Sequence, residues 1–213
     1  MAIALIVAGL TPATWRNTRL SGADRYGTAV DASHQTFSPG VDAVFIASGL
    51  GFADGLAGGP GAAKLDGPVL LTPAGSLPGA VATEINRLKP KKIYVLGGTA
   101  SVSSAVETKL KTLGAVERLA GANRYATASA IAGKLWSSSP TVYLASGADV
   151  PDALSGGAAA ADDNAPLLLT APGVRAPETK ATLAKLNPSK IVIIGDTAAV
   201  TDAVKTTLTK QFL

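Results

Sequence analysis

The chain has 213 residues, 47% of them hydrophobic and 16% charged, which is the composition of a globular chain rather than a disordered one and allows one or two folded units. It has no cysteine and one histidine, His34, so disulfides, thiol chemistry and a histidine/cysteine metal cage are excluded. Its net charge of +4, from 19 basic and 15 acidic residues, suits an anionic partner but is too small and too scattered for nucleic-acid binding.

The chain opens on an apolar run, Ala2–Leu10. This run is too short to span a bilayer, which takes ~20 residues, and it lacks the basic segment that precedes the apolar part of a signal peptide. We therefore predict an N-terminal strand and lead-in over residues 1–18, with a trimmed remnant of an export signal as the alternative.

From residue 19 onward the sequence is duplicated. Arg19–Ala29 returns as Arg118–Ala128 with 8 of 11 positions identical, and Val44–Gly59 returns as Val142–Gly157 with 8 of 16 identical. The offset of 98 to 99 residues is that of a whole folding unit, larger than the modules of ~20 to 50 residues in solenoids and propellers. A ligand site is therefore expected either in each unit or between the two.

The two units, which we name repeat 1 (residues 19–117) and repeat 2 (residues 118–213), show the same order of predicted elements. A helix opens each repeat. Repeat 1 then has a strand at Val44–Ala47, a glycine-rich helix at Phe52–Leu65, a strand at Pro68–Thr72, a helix after Pro78, a strand at Lys92–Leu96 and a helix marked by Val102, Val106 and Leu110. We expect close packing to compensate for the glycines of the second helix.

The matching strands of repeat 2 are predicted at Val142–Ala145, Pro166–Thr170 and Lys190–Ile194, and Val116–Leu119 is predicted as a link between the repeats. Strands that alternate with helices indicate a parallel sheet covered on both faces. The predicted fold class is α/β, with two tandem Rossmann-like or flavodoxin-like repeats whose parallel sheets are flanked by helices.

Ligands of open parallel sheets bind at the carboxyl ends of the strands. Small residues at these ends are candidates for ligand binding in both repeats: Ser48, Gly49 and Thr72, and Ser146, Gly147 and Thr170. Hydroxyls and backbone N–H groups at helix starts bind anions. Tight turn geometry explains the same residues without a ligand, so both interpretations stay open.

Sequence patterns for nucleotide cofactors fail in this chain. The loop after the first strand begins as G-x-G at Gly49 and Gly51, but Asp54 stands where a dinucleotide-binding motif needs its third glycine. Lys64 follows two alanines and lacks the glycine and the hydroxyl of a P-loop. We therefore predict no cofactor and no metal.

Catalytic residues are equally scarce. His34 has no counterpart in repeat 2, and we interpret it as a surface or half-buried helix residue rather than a general base. Asp54 and Asp152 recur, but one carboxylate in each repeat does not supply the pair that acid–base catalysis uses. We expect these aspartates to cap or orient a helix start, and Tyr26 and Tyr125 to be structural.

The recurring arginines, Arg19 and Arg25 with Arg118 and Arg124, are the remaining candidates for ligand binding. Each guanidinium could pair with the aspartate of its own repeat, or could bind a carboxylate or phosphate through two parallel hydrogen bonds. Only the second interpretation predicts a loss of binding with the fold intact when arginine is replaced.

Several of these motifs occur in a fixed order and return in the second copy: R-L-S-G-A-D-R-Y-x-T-A, F-I-A-S-G with F-A-D-G-L-A-G-G, P-V-L-L-T, and L-K-P-K-K-I-Y-V-L-G-G-T-A-S-V. Together they closely resemble the cell-wall-binding repeat type 2 family over residues 19–213. The resemblance implies a Rossmann-like repeat of Gram-positive surface proteins that binds anionic wall polymers non-covalently. It also implies that the segments Pro68–Thr72 and Pro166–Thr170 match the family's P-I-L-L stretch, near which the polymer groove is expected.

The number of repeats differs from that of the family. Family proteins usually carry three tandem repeats around a pseudo-threefold axis, with an effector module and a signal peptide, whereas this sequence shows two repeats. We therefore expect the chain to form a homo-oligomer, with three chains and six repeats as one closed cyclic assembly. A chain that starts at Met1 without an export signal also fits a phage component released by lysis.

Three functions are compatible with the sequence. The first is a non-enzymatic, extracellular module that binds teichoic acid or an anionic polysaccharide of the cell wall. The second is a self-assembling structural protein, either a surface-layer component or a virion decoration or fibre. The third and most remote is a small-molecule enzyme, because a Rossmann-like scaffold alone is no evidence of activity.

Overall fold

The structure, a computed structural model, describes residues 19–148 and 150–212. The strand and lead-in predicted over residues 1–18 lie outside the described residues. Repeat 1 contains, in chain order, α1 (Arg25–Thr36), β1 (Ala43–Ser48), α2 (Ala53–Lys64), β2 (Val69–Thr72), α3 (Gly79–Leu88), β3 (Lys92–Leu96) and α4 (Ser104–Lys111). The chain continues with β4 (Val116–Leu119), α5 (Arg124–Leu135), β5 (Thr141–Ser146), α6 (Val150–Asp162), β6 (Leu167–Thr170), α7 (Pro177–Leu186), β7 (Lys190–Ile194) and α8 (Asp202–Phe212).

The strands form two parallel sheets flanked by helices, which confirms the predicted fold class. The strand order is β2-β1-β3-β4 in one sheet and β6-β5-β7 in the other. Every residue of the central strand β1 is buried, because helices cover both faces of the sheet, and this explains its continuous apolar run. Within the described ranges, no helix has the length and apolar content needed to cross a membrane.

The duplicated R-L-x-G-A-x-R-Y segment builds the starts of α1 and α5. The Asp24 carboxylate accepts a hydrogen bond from the Gly27 amide at 2.8 Å, and the Asn123 side chain accepts one from the Ala126 amide at 2.8 Å. Such N-caps satisfy amides that have no partner in the first turn of a helix. Helix capping therefore accounts for part of the recurrence of this motif.

The segment Val116–Leu119, predicted as a link between the repeats, is instead the strand β4. It pairs in parallel with β3, with Ile93 opposite Val116 and Leu96 opposite Leu119. The predicted boundary between residues 117 and 118 thus falls inside this strand. Because two of its four residues, Glu117 and Arg118, are charged, this strand lacks the apolar run by which the other strands were predicted. Its partner β3 is also distant in sequence.

The repeats pack against each other through the glycine-rich helix α2, which contacts α5 and α6 of repeat 2. A β-carbon on Gly61 would overlap the Leu135 side chain, and one on Gly58 would overlap Leu96. The expected close packing is therefore confirmed at these two glycines. Close packing does not explain the glycine at position 59, where a β-carbon would meet no atom within 4 Å.

We expect Gly61→Ala to weaken the packing between the repeats, because the added methyl group displaces Leu135 from a close-packed position. The free energy of unfolding of Gly61→Ala should therefore lie about 1 to 3 kcal/mol below that of Gly59→Ala, because both variants share the same gain in helix propensity. Gly59→Ala is the matched control, since it adds the same methyl group to the same helix in open space, where alanine favours a helix over glycine by up to ~1 kcal/mol. Urea unfolding measures both variants, and equal shifts would contradict the packing explanation.

Candidate functional site

At the carboxyl end of the central strand of each sheet, an arginine contacts the loop that follows. Arg25, the first residue of α1, donates from Nη1 to the Gly49 carbonyl, and Arg124 of α5 donates in the same way to Gly147. Both side chains are exposed. Among the described residues neither guanidinium pairs with an aspartate, so their other nitrogens are available to an anion. The glycine carbonyl holds both side chains in the same pose.

Tyr26 and Tyr125 lie against the same loop glycines. A β-carbon on Gly49 would overlap the ring of Tyr26, and one on Gly147 would overlap the ring of Tyr125. Glycine is needed at both positions for this close approach. The contact agrees with the structural role expected for the tyrosines, since each ring positions the loop that its neighbouring arginine contacts.

Ser48 and Ser146 stabilise the same loops from within. The Ser48 Oγ accepts hydrogen bonds from the amides of Leu50 at 3.2 Å and Gly51 at 3.4 Å. The Ser146 Oγ accepts one from the Ala148 amide at 3.2 Å. Both serines are buried. Their hydroxyls shape the loop, and a direct contact with a ligand stays a prediction.

Thr72 and Thr170, the last residues of β2 and β6, are fully buried. The Thr72 hydroxyl donates within its own loop to carbonyls of Pro73 and Ser76, at 3.1 and 2.8 Å. Thr170 makes the equivalent hydrogen bonds in repeat 2. Because these hydroxyls do not reach the surface, the ligand contact predicted for them would require the loop to open.

The other two recurring arginines differ from Arg25 and Arg124. Arg118, in β4, donates from Nε to Glu107 at 2.8 Å, from Nη1 to the Gly97 carbonyl at 2.6 Å and from Nη2 to the Val102 carbonyl at 2.8 Å. These bonds tie β4 to α4 and use every guanidinium nitrogen. Arg118 therefore has a structural role in this fold, and the ligand contact expected for it stays a prediction. Arg19 is exposed at the start of repeat 1.

Asp54 was expected either to cap or to orient the start of α2, and the structure shows that it does not cap the helix. The N-cap residue of α2 is Phe52, without a side-chain cap, and Asp54 lies in the first turn, where it accepts a hydrogen bond from the Ser101 Oγ at 3.1 Å. Burial raises the pKa of Asp54, while the Ser101 hydrogen bond and the positive charge of Arg124 partly offset this effect. Asp152 has the equivalent place in the first turn of α6.

A groove beside Arg25, which we name the repeat-1 groove, combines a cation with apolar surface. It is also lined by Leu50 and Phe52 and by Val69 and Leu71 of the P-V-L-L-T segment. Leu50 and Phe52 are 70% and 48% exposed. The repeat-1 groove therefore offers a guanidinium and two exposed apolar side chains next to the strand segment singled out by the sequence.

A second concavity lies between the repeats, and we name it the inter-repeat cleft. Its lining includes Phe52, Asp54 and Ser101 of repeat 1 and Gly121, Asn123 and Arg124 of repeat 2. Arg124 thus faces a different environment from Arg25, because the carboxylate of another repeat lies nearby. The sequence predicted a site in each repeat or between the two, and concave surfaces of both kinds are present.

Other titratable residues lie outside these surfaces. His34 is exposed on α1, as expected, with Nδ1 3.5 Å from an Oε atom of Glu84 on α3. In the part of the chain that the structure describes, no group of three or more histidine, aspartate and glutamate side chains could hold a metal ion.

Sequence reasoning missed Leu50 and Phe52 as groove residues, because periodicity identifies buried apolar positions and gives no signal for exposed ones in a loop.

Comparisons with known proteins identify the family of the chain. The family model of Cell wall binding domain 2 (CWB2) matches residues 19–107 and 118–205. N-acetylmuramoyl-L-alanine amidase LytC of Bacillus subtilis (strain 168) is 32% identical over 187 residues, which are 87% of this chain and 37% of that protein. The Amidase enhancer of the same organism is 33% identical over 193 residues, 90% of this chain and 26% of that protein.

Two solved structures share the fold over nearly the whole chain. Cwp6 from Clostridium difficile superposes with a TM-score of 0.83 at 27% identity, covering 95% of this chain and 34% of that one. Cwp8 from Clostridium difficile superposes with a TM-score of 0.82 at 33% identity, covering 90% and 33%. The chain spans about a third of the length of these relatives. With the family model matching both repeats, the chain belongs to the Cell wall binding domain 2 family, as two tandem domains.

Proposed function

We propose that this chain is a non-catalytic module that attaches non-covalently to an anionic polymer of a Gram-positive cell wall, such as teichoic acid or an anionic polysaccharide. The observation that carries the proposal is the repeated pose of Arg25 and Arg124. Each guanidinium is exposed, each is fixed by one glycine carbonyl, and each borders a concave surface. A repeating anionic polymer presents charges at regular intervals, so two weak contacts along one polymer reinforce each other.

The repeat-1 groove fits the chemistry of a sugar-containing polyanion. The guanidinium of Arg25 can bind a phosphate or carboxylate with two hydrogen bonds, since within residues 19–148 and 150–212 its hydrogen bond comes from Nη1 alone. The exposed Leu50 and Phe52 offer apolar surface to the C–H faces of sugar rings. The equivalent residues of repeat 2, Ala148 and Val150, are smaller, so we propose that repeat 1 makes the larger apolar contact.

Binding without catalysis is part of the proposal. Asp54 lines the inter-repeat cleft without a second carboxylate among the described lining residues, whereas Asp152 shares its groove with Asp196. Glycosidic hydrolysis uses two carboxyl groups on either side of one bond. The Asp196 Oδ1 accepts hydrogen bonds from the amides of Ala198 and Ala199, so we propose that this carboxylate shapes its loop rather than pairs with Asp152 in catalysis. Because the proposed ligand is a wall polymer, we also propose that the chain acts outside the cell, at the wall or surface. This location is supported by the name of the family, Cell wall binding domain 2, and two relatives are named as an amidase and an amidase enhancer.

Cosedimentation with purified Gram-positive walls tests the function. The double variant Arg25→Ala, Arg124→Ala should bind at least about tenfold more weakly, because a hydrogen bond to a charged group contributes ~1.5 to 3 kcal/mol. Binding of the wild type should weaken as salt is added, because both arginines are exposed and screened. The double variant should keep the wild-type circular dichroism and unfolding midpoint.

A charge-matched control separates specific contacts from net charge. Lys109→Ala, Lys180→Ala removes two exposed cations, one on α4 and one on α7, and should bind like the wild type. Walls stripped of phosphodiester-linked polymers by hydrofluoric acid should retain little protein if the ligand is a teichoic acid. Equal binding of both double variants, or undiminished binding to bare peptidoglycan together with unchanged binding at high salt, would contradict the proposal.

A further inference from the structure

Repeat 2 buries three polar side-chain atoms that have no hydrogen-bond partner among the described residues. They are the Oγ of Ser129, the Nη1 of Arg175 and the Oγ1 of Thr201. The described part of repeat 1 contains no such atom. A buried polar group without a partner destabilises a fold, and a charged group does so more strongly. This difference between the repeats therefore requires a physical explanation.

The positions of repeat 1 that align with Ser129 and Arg175 are apolar. Ser129 aligns with Val30 on α1, and Arg175 aligns with Leu77 in the loop between β2 and α3. Val30 and Leu77 are partly buried, and both pack against the same hydrophobic cluster of repeat 1. Repeat 2 thus has a hydroxyl and a guanidinium where repeat 1 has two apolar side chains.

Thr201 lies next to the loop that contains Arg175. The Thr201 amide donates to the Pro172 carbonyl at 2.9 Å, which joins the start of α8 to the loop between β6 and α7. In repeat 1 the aligned residue is Ser103, whose Oγ accepts a hydrogen bond from the Val106 amide at 3.3 Å and caps α4. Two polar groups without partners therefore belong to segments of repeat 2 that are bonded to each other.

The guanidinium of Arg175 has no counter-charge in the part of the chain that the structure describes. Burial lowers the pKa of this side chain, and no carboxylate offsets that effect. Glu178, the nearest acidic residue in sequence, accepts a hydrogen bond from the Asn123 amide group at 3.2 Å instead. A water molecule can satisfy a hydroxyl, but an anion is needed to neutralise a partly buried cation.

The loop of Arg175 lies beside the loop that Arg124 contacts. The Gly147 amide donates to the Thr170 carbonyl at 2.8 Å, so the segments that follow β5 and β6 are neighbours at the carboxyl end of the sheet. Ligands of parallel sheets bind at this end. We propose that the loop between β6 and α7 binds a phosphate or carboxylate group through the Arg175 guanidinium.

This anion site belongs to repeat 2 alone, because Leu77 has the same place in repeat 1. The repeats would then contribute differently to one ligand: repeat 1 adds the exposed apolar side chains of Leu50 and Phe52, and repeat 2 adds a second cation beside Arg124. The existence of the anion site does not depend on the proposed function, whereas its assignment to a wall polymer rests on that function.

Thermal unfolding of the full chain in phosphate, and in chloride of equal ionic strength, tests the anion site. With about 100 mM phosphate and a dissociation constant of about 10 mM, the wild-type midpoint should rise by roughly 3 to 6 °C above the chloride value. Arg175→Leu should lose this rise. In chloride it should unfold at or above the wild-type midpoint, because leucine is the residue of repeat 1 at this position and removes an unpaired cation.

Lys180→Leu is the matched control, because it replaces an exposed cation of α7 with the same residue. It should keep the phosphate response, and so should Arg25→Ala, Arg124→Ala. A wild-type midpoint that is equal in phosphate and chloride would overturn the proposal. A phosphate response of Arg175→Leu equal to that of the wild type would overturn it as well.

Cosedimentation with purified walls identifies the source of the anion. If the wall polymer carries it, Arg175→Leu should bind walls about tenfold more weakly, while Lys180→Leu should bind like the wild type. Unchanged wall binding of Arg175→Leu, together with a lost phosphate response, would assign the site to a free phosphate or carboxylate. Failure of the proposed function would appear instead in the Arg25→Ala, Arg124→Ala variant, so the two failures are distinguishable.

Discussion

Replacing Glu84 with alanine is expected to lower the free energy of unfolding by about 2 to 3 kcal/mol, because it removes a buried carboxylate that accepts hydrogen bonds from Ser33 and from the half-buried Arg87. Glu84 lies on α3 and is 2% exposed. It accepts hydrogen bonds from the Ser33 Oγ at 2.6 Å and from Nη2 of Arg87 at 2.7 Å. Without the carboxylate, the Arg87 guanidinium loses its counter-charge and α1 loses its polar contact with α3.

The contribution of Glu84 should depend on pH. Burial raises the pKa of this carboxyl, but the hydrogen bonds from Arg87 and Ser33 outweigh burial and hold the pKa below the usual 4.5. Because the folded-state pKa is lowered, the stabilisation is present above the unfolded-state pKa and is lost as pH falls through the folded-state value. The difference in unfolding free energy between the wild type and Glu84→Gln should therefore shrink below about pH 4.5.

Urea unfolding at neutral and at acid pH measures both effects. Asp162→Ala removes an exposed carboxylate at the end of α6 and serves as the control, with an expected change within about 0.5 kcal/mol. A difference between the wild type and Glu84→Gln that did not vary with pH would show that Glu84 stabilises by packing alone.

Arg118→Ala is expected to lower the free energy of unfolding by about 2 to 3 kcal/mol, because it breaks three hydrogen bonds and leaves the half-buried Glu107 with one cation. That cation is Lys111, at 2.9 Å. The loss should detach β4 from α4, so amide hydrogen exchange at Gly97, which donates to the carbonyl of Leu119, should accelerate.

Arg19→Ala is the control that the duplication itself provides. Arg19 has the same place in the motif and is exposed, so its replacement should change the unfolding free energy by no more than about 0.5 kcal/mol. Equal losses in the two variants would contradict the assignment of Arg118 as the residue that ties β4 to α4.

Most of the fold was predictable because periodicity reports which faces of an element are buried. The apolar run at Val44–Ala47 predicted a central strand, and β1 is buried on both faces. The strand Val116–Leu119 was missed for the same reason, since two of its four residues are charged and its burial depends on pairing with β3. A pattern of hydrophobicity carries no information about a partner that lies elsewhere in the sequence.

The candidate site was predictable only as a set of recurring residues. Both arginine positions of the duplicated motif recur, Arg25 with Arg124 and Arg19 with Arg118. The sequence alone therefore gives no reason to rank Arg25 above Arg118 as a ligand-binding residue. The structure separates them: among the described residues Arg25 has one acceptor and is exposed, whereas Arg118 has three acceptors, one on α4 and two in the loop between β3 and α4. Thr72 and Thr170 recur as reliably as the arginines, yet their hydroxyls bond within their own loops.

By itself, the sequence determined the duplication, the α/β class and the family, since these depend on residue identity and local periodicity along each copy. The tertiary structure decided which of the repeated residues can reach a ligand and which strand completes which sheet. The physical reason is that the acceptors of a long polar side chain, and the partner of an edge strand, come from segments that only folding brings together. Leu20 and Leu119 are the same residue in the same motif, and only the presence of a neighbouring sheet makes one exposed and the other buried.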